Sequence, residues 1–328
     1  MNRRLGFLAL LLFGCTSSNA PMTGAPDLAV ANDLGKSSFD LPIPVAGRHT
    51  ILPSLTDPKI NDPDDAHIAV SPGGLGNGRL LVFMSGSGGT PAGYDLFFDY
   101  AAANGYHVLG LGYPDKSGSV ASQCTNDLAC YGKLREETWS GQDTSPIIAV
   151  SVDNSIHNRL IKLLQYVVTE FPDEGWDTYY AAGDAVWSRV VVGGHSQGGG
   201  HAAYIASLHN VMRVIMFSSP GDAAGNTTPP TPATWIGGAH VTPIDHYFGV
   251  DHVDDAAYHD KVFADFKALG LPGDVQDVDK VAPPYHNSHQ LTASQPLTAP
   301  HNQIITDGTP LVGGASVFQP MWKYMLGY

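Results

Sequence analysis

Residues 189–206, RVVVGGHSQGGGHAAYIA, decide how this chain is read. Three β-branched residues, Val190, Val191 and Val192, lead into Gly194-His195-Ser196-Gln197-Gly198, and small residues suited to a helix follow. Stiff β-branched side chains favour a strand, so the pattern is strand, sharp turn, helix. Gly194 and Gly198 flank the serine because a side chain at either position would clash where strand and helix nearly touch. The serine at the apex takes a strained backbone conformation, which pushes its hydroxyl out above the sheet.

Working outward, residues 79–84 (RLLVFM) are a continuous apolar run of the kind found in a strand buried on both faces. The run enters the glycine-rich segment 85–91, SGSGGTP; a helix opened by Pro91 and closed at Asn104-Gly105 is expected next, then a strand over 107–110. Strand, loop, helix, strand is a βαβ unit, hence a parallel sheet. Asp153-Asn154-Ser155 opens a further helix, with Ile156, Leu160, Leu163, Leu164 and Val167 at helical spacing and a stop before Phe171-Pro172. Residues 213–217 and 246–250 read as strands, 288–292 as the last strand or its approach, and 319–326 as a terminal amphipathic stretch. Turn signals between 46 and 78 separate short apolar pieces such as 67–70, which suit antiparallel edge strands.

In this setting the G-x-S-x-G turn resembles the nucleophile elbow of the α/β-hydrolase superfamily, over residues 78–326. The resemblance implies an α/β fold: a mostly parallel central sheet with helices on both faces. It also implies a chain order of serine, acid, histidine, with Ser196 as nucleophile. The acid belongs in the loop after the strand at 246–250, where Asp255 is preferred, then Asp254, then Asp251; the others read as solvated charge or as caps of a helix starting near Ala256. The base belongs in a loop after the last strand, which favours His301 over His289, expected in mid-strand, and over His286. Where the superfamily has His-Gly-x, this chain has Ser85-Gly86-Ser87, so the Ser87 amide is one expected oxyanion donor and the Gln197 amide the other. His195 points from the wrong side of the turn to deprotonate its neighbour and is read as a packing or supporting residue.

These parts suit acyl transfer from a carboxylic ester to water through an acyl-enzyme, with no cofactor. Ester is preferred to amide by analogy alone. A non-catalytic binding lipoprotein on the same fold, and a perhydrolase- or haloperoxidase-like enzyme with the same triad, are the alternatives. Residues 218–243 are Pro/Thr/Gly-rich with one large aromatic, Trp235, and make no helical lid, so an open site for small or polymeric esters is expected.

Charge narrows the partners further. The net charge is −14 with no Lys/Arg cluster, which excludes nucleic acid, since a polyanion needs a basic surface. Pro91 falls where a dinucleotide loop needs its third glycine, and no phosphate-binding G-x-x-x-x-G-K-[ST] is present. His246, His252 and His259 lie among Asp251, Asp254 and Asp255, but neither H-E-x-x-H nor calcium-loop spacing occurs, and no metal is assigned.

At the N-terminus, Arg3 and Arg4 precede a short apolar run, which reads as an export signal rather than a membrane span of roughly 20 residues. Leu12-Phe13-Gly14-Cys15 resembles a bacterial lipobox, which implies a lipidated Cys15 as the only membrane attachment; a plain signal cut near Ala20 is the alternative. The expected organisation is a signal peptide over 1–14, a tether over 15–45 too poor in apolar residues to fold, and one catalytic domain over 46–328. The protein is accordingly expected outside the cytoplasm, lipid-anchored in the cell envelope or secreted. Of the 3 cysteines, Cys124 and Cys130 remain for a disulfide closing a short loop within the insertion 114–146.

Overall fold

The computed structural model describes residues 47–328 except 74 and 75; the signal segment, Cys15 and the tether lie outside the described residues. Nine strands form one sheet. They are β1 (Gly47–Ile51), β2 (His67–Ser71), β3 (Leu80–Met84), β4 (His107–Leu111), β5 (Val190–His195), β6 (Arg213–Phe217), β7 (Tyr247–His252), β8 (Gln276–Asp277) and β9 (Gln290–Ala293). Their spatial order is β1-β2-β4-β3-β5-β6-β7-β9-β8. β2 pairs antiparallel with both β1 and β4, and every other pairing is parallel. This order and these directions are those of the α/β-hydrolase fold.

The continuous apolar runs are explained by two cores, one on each face of the sheet. Leu80, Val82 and Met84 of β3 enter one core, while Leu81 and Phe83 enter the other, as the two-residue period of a strand requires. β5 divides likewise, Val190 and Val192 against Val191. On the second face pack α1 (Asp95–Ala103) and α8 (Gln319–Leu326), the latter through Met321 and Trp322. The first face is covered by α2 (Val120–Cys124), α3 (Leu128–Ser140), α4 (Ile156–Glu170), α5 (Gln197–Leu208) and α6 (His259–Leu269), while α7 (Pro300–Gln303) is a short turn of helix. In α4 the Ser155 side chain accepts from the Asn158 N–H as a cap, and Ile156, Leu160, Leu163, Leu164 and Val167 are all buried. Among the described residues no helix is long and apolar enough to cross a membrane.

Several boundaries differ from the sequence expectation. The helix expected from Pro91 opens as a separate 3-10 turn, Pro91–Tyr94, because Tyr94 leaves helical geometry with its hydroxyl committed beneath the elbow. The seventh strand runs to His252, not Val250, which places Asp251 inside it. His289 immediately precedes β9 rather than lying in mid-strand, and the helix after the acid loop starts at His259 rather than near Ala256. The insertion 114–146 contains α2 and α3, with Cys124 and Cys130 joined by a disulfide and Asp127 capping α3 through the Ala129 and Cys130 amides. Residues 218–243 hold no helix, only the short pair Ala223–Ala224 and Thr231–Pro232.

Candidate active site

Ser196 joins β5 to α5 with φ 53° and ψ −119°, a conformation that L-residues adopt only under constraint. Its N–H donates to the Phe217 carbonyl at 2.8 Å, which anchors the turn to β6. The flanking glycines are required by contact: a Cβ on Gly194 would stand 2.3 Å from the Gly198 carbonyl carbon, and one on Gly198 would stand 2.2 Å from the Met84 oxygen. Strand, turn and helix therefore close on one another, and the serine hydroxyl is what projects.

α7 brings His301 to that hydroxyl. Ser196 Oγ lies 2.8 Å from His301 Nε2, and His301 Nδ1 lies 2.5 Å from Asp255 Oδ2. The Asp255 side chain is 4% exposed and that of His301 23%. Asp255 sits in the turn after β7, its N–H donating to the His252 carbonyl at 3.0 Å and its carbonyl accepting from Tyr258 and His259. The backbone of the acid is thus held on both sides. The Tyr258 ring lies 4.8 Å from the His301 ring.

None of the other candidates is hydrogen-bonded to Ser196 Oγ or to the His301 ring. Asp254 is an exposed side chain whose amide donates to His252 Nδ1 at 3.0 Å. Asp251 is fully buried in β7 and faces His259 Nδ1 at 3.2 Å; burial pushes its carboxyl up to about 6 against the pull of that hydrogen bond, and the same bond raises His259. His289 donates to the Tyr247 carbonyl at 2.9 Å and stacks on Phe248, at the opposite end of β7 from Asp255. By strand rise that end is roughly 17 Å away. His286 is exposed and bonds the Gln276 side chain. Of the three clustered histidines, His246 bonds the Val211 carbonyl, His252 the Gln295 carbonyl and His259 the Asp251 carboxylate, so they do not converge on a common point. Asp251, Asp255 and His301 do bring ligand-type atoms within 4.8 Å of one another.

The glycine-rich loop after β3 lies against the serine, with the Cβ position of Gly86 only 3.3 Å from Ser196 Cβ. Among the described residues no group accepts a hydrogen bond from the Ser87 or the Gln197 amide. The Gln197 side chain ties two walls together: its Oε1 accepts from Ser87 Oγ at 2.7 Å and from the Val120 amide at 3.2 Å. Its carbonyl accepts from Arg135 Nη1 at 3.1 Å.

Arg135, Asp222, Tyr94 and Ser218 escaped the sequence reading. Arg135 on α3 forms a buried two-point ion pair with Asp222, Nε to Oδ2 2.5 Å and Nη2 to Oδ1 2.6 Å, and the Trp235 indole also donates to Asp222. The Asp222 amide donates to Asp265, whose carboxyl burial raises well above the usual range. No local sequence signal marks such a pair, since its partners are 87 positions apart.

Strand order and site together define the class, an α/β-hydrolase fold carrying a serine, a histidine and an aspartate hydrogen-bonded in series. No protein-family model matches the sequence, and no curated protein matches it. Among solved structures the chain is similar to a dienelactone hydrolase from Anabaena variabilis, at 12% identity and TM-score 0.42, over 86% of this chain and 98% of that one. It is also similar to esterase B from Lactobacillus rhamnosis inhibited by a tributyrin phosphonate, at 13% identity and TM-score 0.41, over 75% and 74%. An acetyl xylan esterase from Aspergillus awamori follows at 13% identity and TM-score 0.37, over 69% and 81%.

Proposed function

We propose that this protein is an exported serine hydrolase that cleaves carboxylic esters through an acyl-enzyme. The observation that carries the proposal is the unbroken series Ser196 Oγ, His301 Nε2, His301 Nδ1, Asp255 Oδ2, with separations of 2.8 and 2.5 Å across the polar contacts. A serine hydroxyl is a weak nucleophile until a neighbouring base accepts its proton, and a buried carboxylate keeps that base in the right tautomer.

Ser196 Oγ bonds to the ester carbonyl carbon as its proton passes to His301 Nε2. Asp255 accepts from Nδ1–H and stabilises the imidazolium. The Ser87 and Gln197 amides take the negative charge that develops on the carbonyl oxygen, helped at Gln197 by the positive end of α5. Collapse breaks the bond to the alcohol oxygen, which leaves with the proton from Nε2. A water then gives one proton to Nε2 as its oxygen bonds to the acyl carbon, and the bond to Ser196 Oγ breaks as Oγ takes that proton back, which releases the acid and restores Ser196 and His301.

Export rests on the basic start and apolar run before Cys15, with lipidation of Cys15 as the proposed anchor. The test of the reaction is labelling of the full chain with a fluorophosphonate, followed by peptide mapping. The adduct is expected on Ser196, and Ser196→Ala is expected to lower kcat on p-nitrophenyl butyrate by about 10⁶-fold. An unlabelled Ser196, or an alanine variant with undiminished turnover, overturns the proposal.

A further inference from the structure

His195 precedes the nucleophile, is 3% exposed, and uses both ring nitrogens. Nε2 lies 2.9 Å from the backbone carbonyl of His301, and Nδ1 lies 2.9 Å from the Tyr94 hydroxyl. The Tyr94 oxygen in turn accepts from the Gly86 amide at 3.0 Å. A carbonyl can only accept, so Nε2 carries the proton and Nδ1 is bare. Tyr94 must then donate to Nδ1, and its oxygen is free to accept from Gly86. The hydrogen bonds run one way: Gly86 N–H to Tyr94 O–H to His195 Nδ1, and His195 Nε2–H to His301 C=O.

The relay touches all three parts of the proposed machinery. Gly86 precedes Ser87, whose amide faces the oxyanion; His195 is bonded to Ser196; and His301 is the base. The His301 carbonyl receives a second donor, Ser218 Oγ, at 2.9 Å. α7, a helix of only four residues, is therefore held from beneath by two donors while its imidazole meets Ser196 above. Burial lowers the His195 ring to about 3, with the nearby His301 acting in the same sense, so the single-proton form that the relay needs persists through neutral pH.

We propose that His195 is a positioning residue, which with Tyr94 sets the oxyanion loop and the base at fixed distances from the nucleophile. The proposal rests on the hydrolase reading of the site and adds a role for a residue that touches no substrate. Catalytic geometry is sensitive enough for this to be measurable, since a displacement of 1 Å costs about 100-fold in rate.

The two ends of the relay can be cut separately. Asn places an amide oxygen near the position of Nδ1 and has no group to reach His301, whereas Gln places an amide N–H near the position of Nε2. With p-nitrophenyl butyrate, His195→Asn is expected to lower kcat by about 10-fold or more with KM within about twofold, and His195→Gln, which keeps the His301 link and loses the Tyr94 link, to recover kcat to about the level of Tyr94→Phe. Tyr94→Phe, which keeps the ring and deletes only the oxygen, is expected to lower kcat by at least about threefold at unchanged KM, and carries the test should the His195 variants not fold. Equal impairment of the Asn and Gln variants, or unchanged kcat in folded His195→Asn or Tyr94→Phe, overturns the proposal. Fluorophosphonate labelling of the parent protein separates the two readings: no adduct on Ser196 removes the hydrolase reading and the relay with it, whereas a labelled Ser196 with unaltered variant kinetics removes the relay alone.

Discussion

Arg135→Met is the most telling single change outside the catalytic series. It strands the Asp222 carboxylate, whose side chain is 2% exposed, with the Trp235 indole as its remaining side-chain donor, at 2.9 Å. Asp265, the neighbouring carboxyl, offers no positive charge, and the Gln197 carbonyl loses the donor that lay at 3.1 Å. Removing one partner of a buried ion pair leaves an uncompensated charge and costs about 3–5 kcal/mol, a factor of about 10²·² to 10³·⁷ in the folding equilibrium. Arg135→Met/Asp222→Leu removes both charges and leaves mainly an unpaired indole N–H, worth about 1–3 kcal/mol. Equilibrium unfolding in urea at pH 7 therefore ranks parent, double variant, single variant, with similar slopes against denaturant. A single variant within about 1 kcal/mol of the parent, or a double variant no better than the single, refutes the claim that this pair is uncompensated when halved.

Gly200→Ala, normally worth about 1 kcal/mol of helix stability, is expected to destabilise by about 1–3 kcal/mol, because the new Cβ stands 1.9 Å from Arg135 Nη2. In the Arg135→Met background the same change becomes stabilising, and thermal unfolding of the four combinations checks the reversal. Asp255→Asn is expected to lower kcat by about 10⁴-fold, whereas Asp254→Asn and His289→Gln stay within a few-fold, which steady-state ester hydrolysis measures. Burial holds His67 and His195 at about 3 and His201 well below the ordinary 6.5. Between those values the unfolded chain takes up protons at these positions and the folded chain does not. Stability is thus complete above about pH 6.5 and falls with acid by about 1.4 kcal/mol per pH unit for each histidine. His67→Asn, which retains an acceptor for the Gly112 amide, removes one histidine's share of that slope, and a urea series between pH 7 and 4.5 reads it.

Legibility in the sequence followed the physics of each element. β3, β5 and β6 are buried on both faces apart from the half-buried Arg213, so, with Arg213 and His195 confined to strand ends, their runs carry no polar side chain and the strands are visible to inspection. The elbow is visible because contact forces glycine at 194 and 198. The sequence places the end of β7 two residues early because Asp251 and His252 end it, and polar residues read as loop; both are buried by pairing, with His259 and with the Gln295 carbonyl. α3 was unreadable for a related reason, since its buried face carries Arg135 and Glu137 where an apolar stripe would be expected. Glu137 accepts from the Thr144, Ser145 and Val150 amides, a role visible only once the chain has folded back on itself. Tyr94 bonds His195 across 101 positions, and nothing near either residue announces the other.

Gln197 gives the molecule a constraint of a different kind. Its amide is one of the two proposed oxyanion donors, its side chain fastens the Ser87 loop and α2, and its carbonyl is held from α3. The insertion bearing the disulfide is consequently not a detachable module. Loop exchange over 114–146, an ordinary engineering route to a new substrate range, would have to carry along the Val120 amide and the Arg135 guanidinium. Without them the graft would disturb the proposed oxyanion donors before altering selectivity, so diversification here is expected to proceed by substitution within the insertion rather than by replacing it.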